Sequence, residues 1–549
     1  MESLKLIPRA DGLLDAAQLP QFPIMAARLQ GELASDGSLT LALWGSGDVG
    51  VLTLGEIAGP MVIAPGRIET AAGQGLYVAQ SAPALLLRGV TPGPIHGGPG
   101  GRLSARQVGA DWVLSAGVDE AEAARAATLG PEQIVAEARD YARACDLAPA
   151  AEPLLRSLVL QSAHAGLSSI RRYPDGGFAG LAAGLAYSTP ARTYYRDGYW
   201  TLQLLLRIAP DIVAEQIELL ARRIHADGEA PSGVIIDGPH AEAFERSRLN
   251  DLALAAVHWA PGEWWSDHFD SPLMFVLAVA DHARVTGDAS LARRYWTQIE
   301  AVFERYLSFT GFEGLPHKPR NDRDWADNVY REGLVSYDLG LWIGMLDAVA
   351  ELGDGWRPQI ADGARAAAAA GRKAIEAHLW RGDWPADYIR DDDSAEDHLA
   401  LDALTLLRHD ALPADKALTM LGQVQDRLES RRNTDQPYGD FGMLCCFPPF
   451  ARAADLRAKS ADAYRYHNGG DWPWLDALYA GERLRRSLSG WRYPLTRWWE
   501  WCLAQGWAGA VEHYSVPFGR GSLLQAWSCL PAAVALQYAD KMAAGDPEA

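Results

Sequence analysis

Carboxylates set among tryptophans and tyrosines recur at five places in the chain. Residues 192–200 read RTYYRDGYW, 264–270 WWSDHFD, 321–328 NDRDWADN, 466–474 YHNGGDWPW and 512–525 EHYSVPFGRGSLLQ. An ordinary solvent loop would carry serine, glycine and lysine instead. Flat aromatic faces stack on sugar rings, and charged groups make the strongest hydrogen bonds to hydroxyls. Two carboxylates suffice to hydrolyse a glycosidic bond: one protonates the leaving oxygen and the other activates water. The first must hold its proton near neutrality, which an apolar or like-charged setting favours. Asp327, beside Trp325 and near Asp322 and Asp324, suits that role, with Asp324 as its rival. Glu512, followed by His513 and Tyr514, suits the base.

The other residues of these stretches would bind substrate. Arg196 and Asp197 would clamp hydroxyls, with a structural ion pair as the alternative. Tyr195, Tyr199 and Trp200 stand beside them, the last two equally suited to a core below the site. Trp264, Trp265, Asp267 and Asp270 would form the next wall, although Asp270 before Ser271-Pro272 also reads as a helix start. Asp324 and Trp325, then His467, Asn468, Gly470 and Trp472, and finally His513, Tyr514, Gln525 and Trp527 would complete the ring. Glu396, Asp397 and His398 read as a helix cap rather than as catalysts.

Amphipathic helices must position these loops. Apolar residues at i, i+3, i+4 spacing mark helices over 132–144, 152–170, 212–226, 272–286, 290–309, 340–351, 361–379, 398–407, 472–480 and 521–538. No convincing strands fall between them, and no fixed-length repeat is present. Before residue 125 the pattern differs. Ser38–Trp44 and Val51–Leu54 alternate apolar and polar residues, as short antiparallel strands do. A β-rich, sandwich-like domain over 1–125 is therefore expected ahead of a mainly α domain over 126–549.

Composition narrows the partners. The 50 basic and 70 acidic residues leave a net charge of −20, which argues against nucleic acid and anionic membranes. No apolar run is long enough to span a bilayer, and no signal peptide is visible, so a cytoplasmic location is expected. Five cysteines without a Cys-x-x-Cys pair point to reduced, buried thiols. His467 and His513 have no metal-ligand spacing, and the glycine-rich stretch 91–101 lacks the Lys-Ser/Thr of a phosphate loop. Neither metal nor cofactor is expected.

The order of the loops resembles that of the inverting six-hairpin, (α/α)6 glycosidases: trehalases, neutral invertases, processing α-glucosidases and the amylo-α-1,6-glucosidase domain of debranching enzymes. Tyr195-Arg196-Asp197-Gly198-Tyr199-Trp200 is similar to the first sugar-binding loop of trehalases. Tyr466-His467-Asn468-Gly469-Gly470-Asp471-Trp472-Pro473 resembles a neutral-invertase segment, the most specific piece. Glu512-His513-Tyr514, then Gly519 and Gln525-Ala526-Trp527, is similar to the late segment that carries the general base. In the acid loop the trehalase form points to Asp324 or Asp327, and the debranching form to Asp327. The resemblance, over about 130–540, implies an (α/α)6 toroid and an inverting, exo-acting hydrolase of α-linked glucosides or short oligosaccharides. A phosphorylase on the same fold would find Glu512 surplus. A polysaccharide lyase would want a positive cleft. A non-catalytic sugar-binding protein would bind without turnover. Sugar identity, linkage and oligomeric state stay open.

Overall fold

The computed structural model describes residues 4–548 apart from 148–151, 174, 188, 237–261 and 313. Its first part is all strand. One antiparallel sheet runs in the order Leu6–Pro8, Leu14–Ala16, Met61–Ala64, Arg67–Thr70, Gly75–Val78, Ala84–Arg88, Asp111–Gly117, Arg102–Val108. A second runs His96–Gly97, Gly47–Thr53, Ser38–Leu43, Leu29–Leu33, Phe22–Ala26. Period-two patterning sets the register. Leu39 pairs with Leu52 on the buried face, while Thr40 and Val51 pair on the exposed one. Leu39, Leu41 and Leu52 share a hydrophobic core with Ile63, Leu76 and Leu85 of the larger sheet.

From Glu120 onward helices dominate. Tyr195–Ile208 packs on Ser271–Thr286, which packs on Ser336–Gly353 and then Leu404–Arg408. That short helix meets Pro473–Arg485, which meets Leu530–Gln537, and the last packs back against Tyr195–Ile208. These helices carry continuous apolar runs because they are buried on most sides; in Ser336–Gly353 sixteen of the eighteen residues are buried. Their partners, such as Pro210–Ala221, Trp296–Ser308 and Pro358–Leu379, bury one face only.

Three expectations need correction. Residues 195–200 are the opening turns of a helix, not a loop. The strand Arg192–Tyr194 leads directly into it, and Asp197 in the first turn is well placed against the helix dipole. The gaps between helices are not strand-free either. Arg192–Tyr194, Gly233–Ile235 and Glu263–Trp264 pair as one small sheet. Lys318–Asn321, Arg331–Val335, Tyr388–Ile389 and Ala395–Glu396 pair as another. Strands of two to five residues are too short to register as a period. Glu396 and His398 cap no helix; they join Arg390 and Asp387 in a buried ion network. All five cysteines are buried and free, and no helix among the described residues is long and apolar enough to cross a membrane.

Candidate active site

Glu512 is held at both oxygens. Tyr187 donates its hydroxyl to Oε1 at 2.7 Å, and the Ser522 N–H donates to Oε2 at 3.0 Å. Burial pushes its carboxyl above the ordinary range, Asp327 adds to the rise, and the two donors restrain it. A carboxylate accepting at both oxygens is oriented as a base, and a raised pKa brings a base closer to working pH.

Asp327 is held at one oxygen. Its Oδ1 takes the Asn328 amide at 3.1 Å and faces His467 Nε2 at 3.2 Å. Its Oδ2 has only Arg196 Nη2 near, at 3.9 Å. The side chain keeps 25% of its exposure, against 4% for Glu512 as a residue. Burial would raise its pKa, but the His467 contact and then Arg196 outweigh it and hold the carboxyl below the usual range. The neighbours expected to raise it are engaged elsewhere. Asp322 pairs with Arg457, Asp324 lies fully buried between Arg331 and Lys318, and Trp325 donates to Asp402. Asp324, completely inaccessible and held low by those cations, is built as a structural anion.

Asp197 is the third acid. Gln525 Nε2 donates to its Oδ1 at 2.9 Å. Burial pushes it up to about 7, with Glu512 and Asp327 adding and Arg196 opposing. The three carboxyls thus lie in one another's field, although they are distant in sequence. Arg196 sits among them, bonded to Asp270 Oδ2 at 3.0 Å; His268 and Tyr337 hold the same aspartate. Asp270 therefore orients Arg196 from the start of the Ser271–Thr286 helix and makes no side-chain cap.

Aromatic rings join these groups. Tyr466 lies edge-on to both His467 and His513, with centroids 4.2 and 4.8 Å away. His467 stacks on Trp472 at 13° and 4.8 Å. His513 is kept neutral by burial, which pushes it down to about 3. Trp264 and Trp265 are half-buried, and the Arg192 guanidinium lies 3.8 Å over the Trp264 ring. Trp265, Tyr466 and Leu524 have φ of +59°, +52° and +47°. Left-handed backbone at bulky residues is strained, and such strain concentrates at functional sites.

Several expected contacts lie elsewhere. Trp200 is completely buried and Trp472 nearly so. With Trp325, Trp474 and Trp527 they form a continuous cluster of edge-on and tilted rings whose neighbouring centroids are 4.8–5.9 Å apart. Rings buried this completely support neighbouring side chains rather than offer a face to a ligand. Tyr195 bonds the Leu220 carbonyl, and Tyr199 packs edge-on to Trp200. Asp267 turns to Arg305. Asn468 stitches its own loop through the Phe450 N–H and the Ser460 carbonyl. At Gly470 a Cβ would meet the Tyr466 carbonyl at 2.7 Å, so the loop closes on itself there. Tyr514 bonds Asp471 and stacks on Trp501. Tyr187, Arg192, Tyr194 and Ser522 were not picked out individually from sequence; Tyr187 sits in an ordinary-looking stretch without a spacing signal, and the other three lie inside the marked stretches 192–200 and 512–525. Among the described residues His225, Asp227 and Glu229 bring ligand atoms within 4.8 Å of one another, but His225 is bonded to Glu263 and Asp227 to Arg305.

No protein-family model and no curated protein matches the chain. Solved structures do. A bacterial glucoamylase complexed with acarbose superposes with a TM-score of 0.60 at 10% identity, covering 99% of this chain and 97% of that one. The chain has that protein's fold. A rhamnosidase from Klebsiella oxytoca with rhamnose bound gives 0.53 at 13% identity, over 97% and 96% of the two chains. Nearly complete coverage in both directions extends the likeness to the strand-rich part as well as the helices.

Proposed function

We propose that the protein is an inverting glycoside hydrolase whose six helical hairpins close as an (α/α)6 toroid, residues 126–549, behind a β-sandwich domain, residues 1–125. The observation that carries this reading is that Asp197, Asp327 and Glu512, from three separate segments of the chain, come close enough to act on one another's ionisation, with Arg196 3.9 Å from Asp327. The return of Leu530–Gln537 to Tyr195–Ile208 supports the closed ring.

In this reading Glu512 is the base, aimed by Tyr187 and Ser522, and Asp327 is the acid. Its Oδ2 is the oxygen left to carry a proton. The low pKa of Asp327 belongs to the open site; a sugar that covers it removes water and pushes the pKa up. Arg196 and Asp197 grip hydroxyls of the terminal sugar, with Gln525 fixing Asp197. The substrate is an α-linked glucoside or short oligosaccharide taken from its end. A panel of aryl glycosides and disaccharides, with the first-formed anomer followed by NMR, tests the proposal. Inverted product is expected, and product of retained configuration rules the mechanism out. The inverting arrangement also requires the two carboxyls to stand about 6.5–9.5 Å apart, leaving room for the water.

A further inference from the structure

A cavity of about 580 Å³ opens where the strand-rich part meets the first helices. Its volume is that of a small-molecule site. Arg28, Glu122, Arg125, Tyr141, Arg172 and Tyr173 are among its lining residues. It takes no residue from the three-carboxylate cluster.

Its charge is unusual for so acidic a chain. Arg28 and Glu122 neutralise each other at 3.0 Å. Arg125 has no side-chain partner among the described residues. Arg172 has only the Gly176 carbonyl, at 2.9 Å. A third guanidinium lies behind the wall. Arg171 is completely buried and bonds the carbonyl of Ser168, which itself lines the cavity. Among the described residues Arg171 Nε and Nη2 have no hydrogen-bond partner; the Trp44 ring lies 5.9 Å away, and Tyr141, which lines the cavity, is close enough to act on its ionisation. A buried guanidinium without a counter-charge is costly; burial pushes Arg171 down to about 9. Two uncompensated arginines at the rim and one beneath make the cavity a positive pocket in a protein of net charge −20. Guanidinium forks match carboxylate and phosphate oxygens, and the tyrosines supply flat faces for a ring.

We infer that this cavity binds a sugar-sized organic anion, in which a phosphate or carboxylate group meets Arg125 and Arg172 and the ring lies against Tyr141 and Tyr173. The site stands independently of the catalytic reading.

Calorimetric titration of the full chain at low salt, with glucose 6-phosphate, glucuronate and glucose, tests it. Either anion binding more tightly than glucose is the expected result, and the stronger of the two identifies phosphate or carboxylate as the group recognised. The double variant Arg125→Ala/Arg172→Ala removes two exposed side chains and leaves the melting temperature unchanged. It should weaken the anion roughly tenfold or more. Glu512→Gln should leave the affinity intact. The inference is overturned if wild type binds neither anion at millimolar concentration, if the double variant binds as tightly as wild type, or if Glu512→Gln abolishes binding and so places the ligand in the other site.

Discussion

At the scale of single residues, the proposed division of labour between Asp327 and Glu512 rests on what holds each oxygen. Both Glu512 oxygens accept hydrogen bonds, whereas Asp327 Oδ2 has only a distant guanidinium. Glu512→Gln should therefore lower turnover by roughly 10²–10⁴-fold on every substrate, because water is no longer activated. Asp327→Asn should lose as much on sugar leaving groups but far less on activated aryl glycosides, which leave without a proton. Equal losses on both substrate classes would show that the roles are wrongly assigned. His467 lowers Asp327, so its removal lets Asp327 keep a proton to higher pH. The alkaline limb of kcat/KM in His467→Ala should move upward. Tyr187 stabilises ionised Glu512, so Tyr187→Phe should raise that group and move the acid limb upward too. Circular dichroism would confirm that both variants fold, and unmoved limbs would leave these two residues merely structural.

At the scale of elements, one cluster of edge-on and tilted tryptophans links Trp200, Trp474, Trp527, Trp472 and Trp325. Trp200→Ala opens a void in that cluster and should cost about 3–5 kcal/mol of stability. Substrate affinity of the surviving folded fraction should change little. A large rise in KM with unchanged melting temperature would instead make Trp200 a sugar platform. The tryptophans also show where the sequence was legible and where it was not. The periodicity of buried helices marked most of the helix positions, and the acid-rich aromatic stretches contain the three acids of the proposed site, Asp197, Asp327 and Glu512. Sequence could not tell which rings face inward from which face the opening, since a tryptophan below a site and one lining it occupy the same kind of motif. The helix at Tyr195 was hidden by its own chemistry: Tyr-Arg-Asp-Gly-Tyr-Trp has poor helical character until tertiary packing supplies it. Tyr187 was hidden because a hydrogen bond across 325 residues of chain leaves no local spacing.

At the scale of the whole molecule, buried carboxyls divide into two classes whose effects on stability oppose each other. Asp270, Asp324 and Asp387 are held low by cations and histidines. Their stabilisation is present above the unfolded carboxyl value, near 4, and is lost as pH falls through their folded values. Asp471, Asp476, Asp338 and Asp197 are raised by burial. Their stabilisation is complete below the unfolded value and is lost as pH rises through the folded one, about 7 for Asp471. Asp471 and Asp476 are buried neighbours whose charges would oppose each other, and neither Asp476 oxygen has a hydrogen-bond donor among the described residues, so the pair keeps a proton that ionisation must remove. Tyr514 and the Met443 N–H hold Asp471 from the other side. These four acids should thus lower the melting temperature progressively as pH rises from about 4 through about 7. Asp476→Asn supplies the shared donor permanently, since an amide N–H replaces the carboxylic proton. Ionised Asp471 is then satisfied, and its contribution to the slope disappears. The expected result is a melting curve against pH that is shallower than that of wild type, with the variant gaining most at the alkaline end. Parallel curves would mean that the pair does not share a proton in the native state.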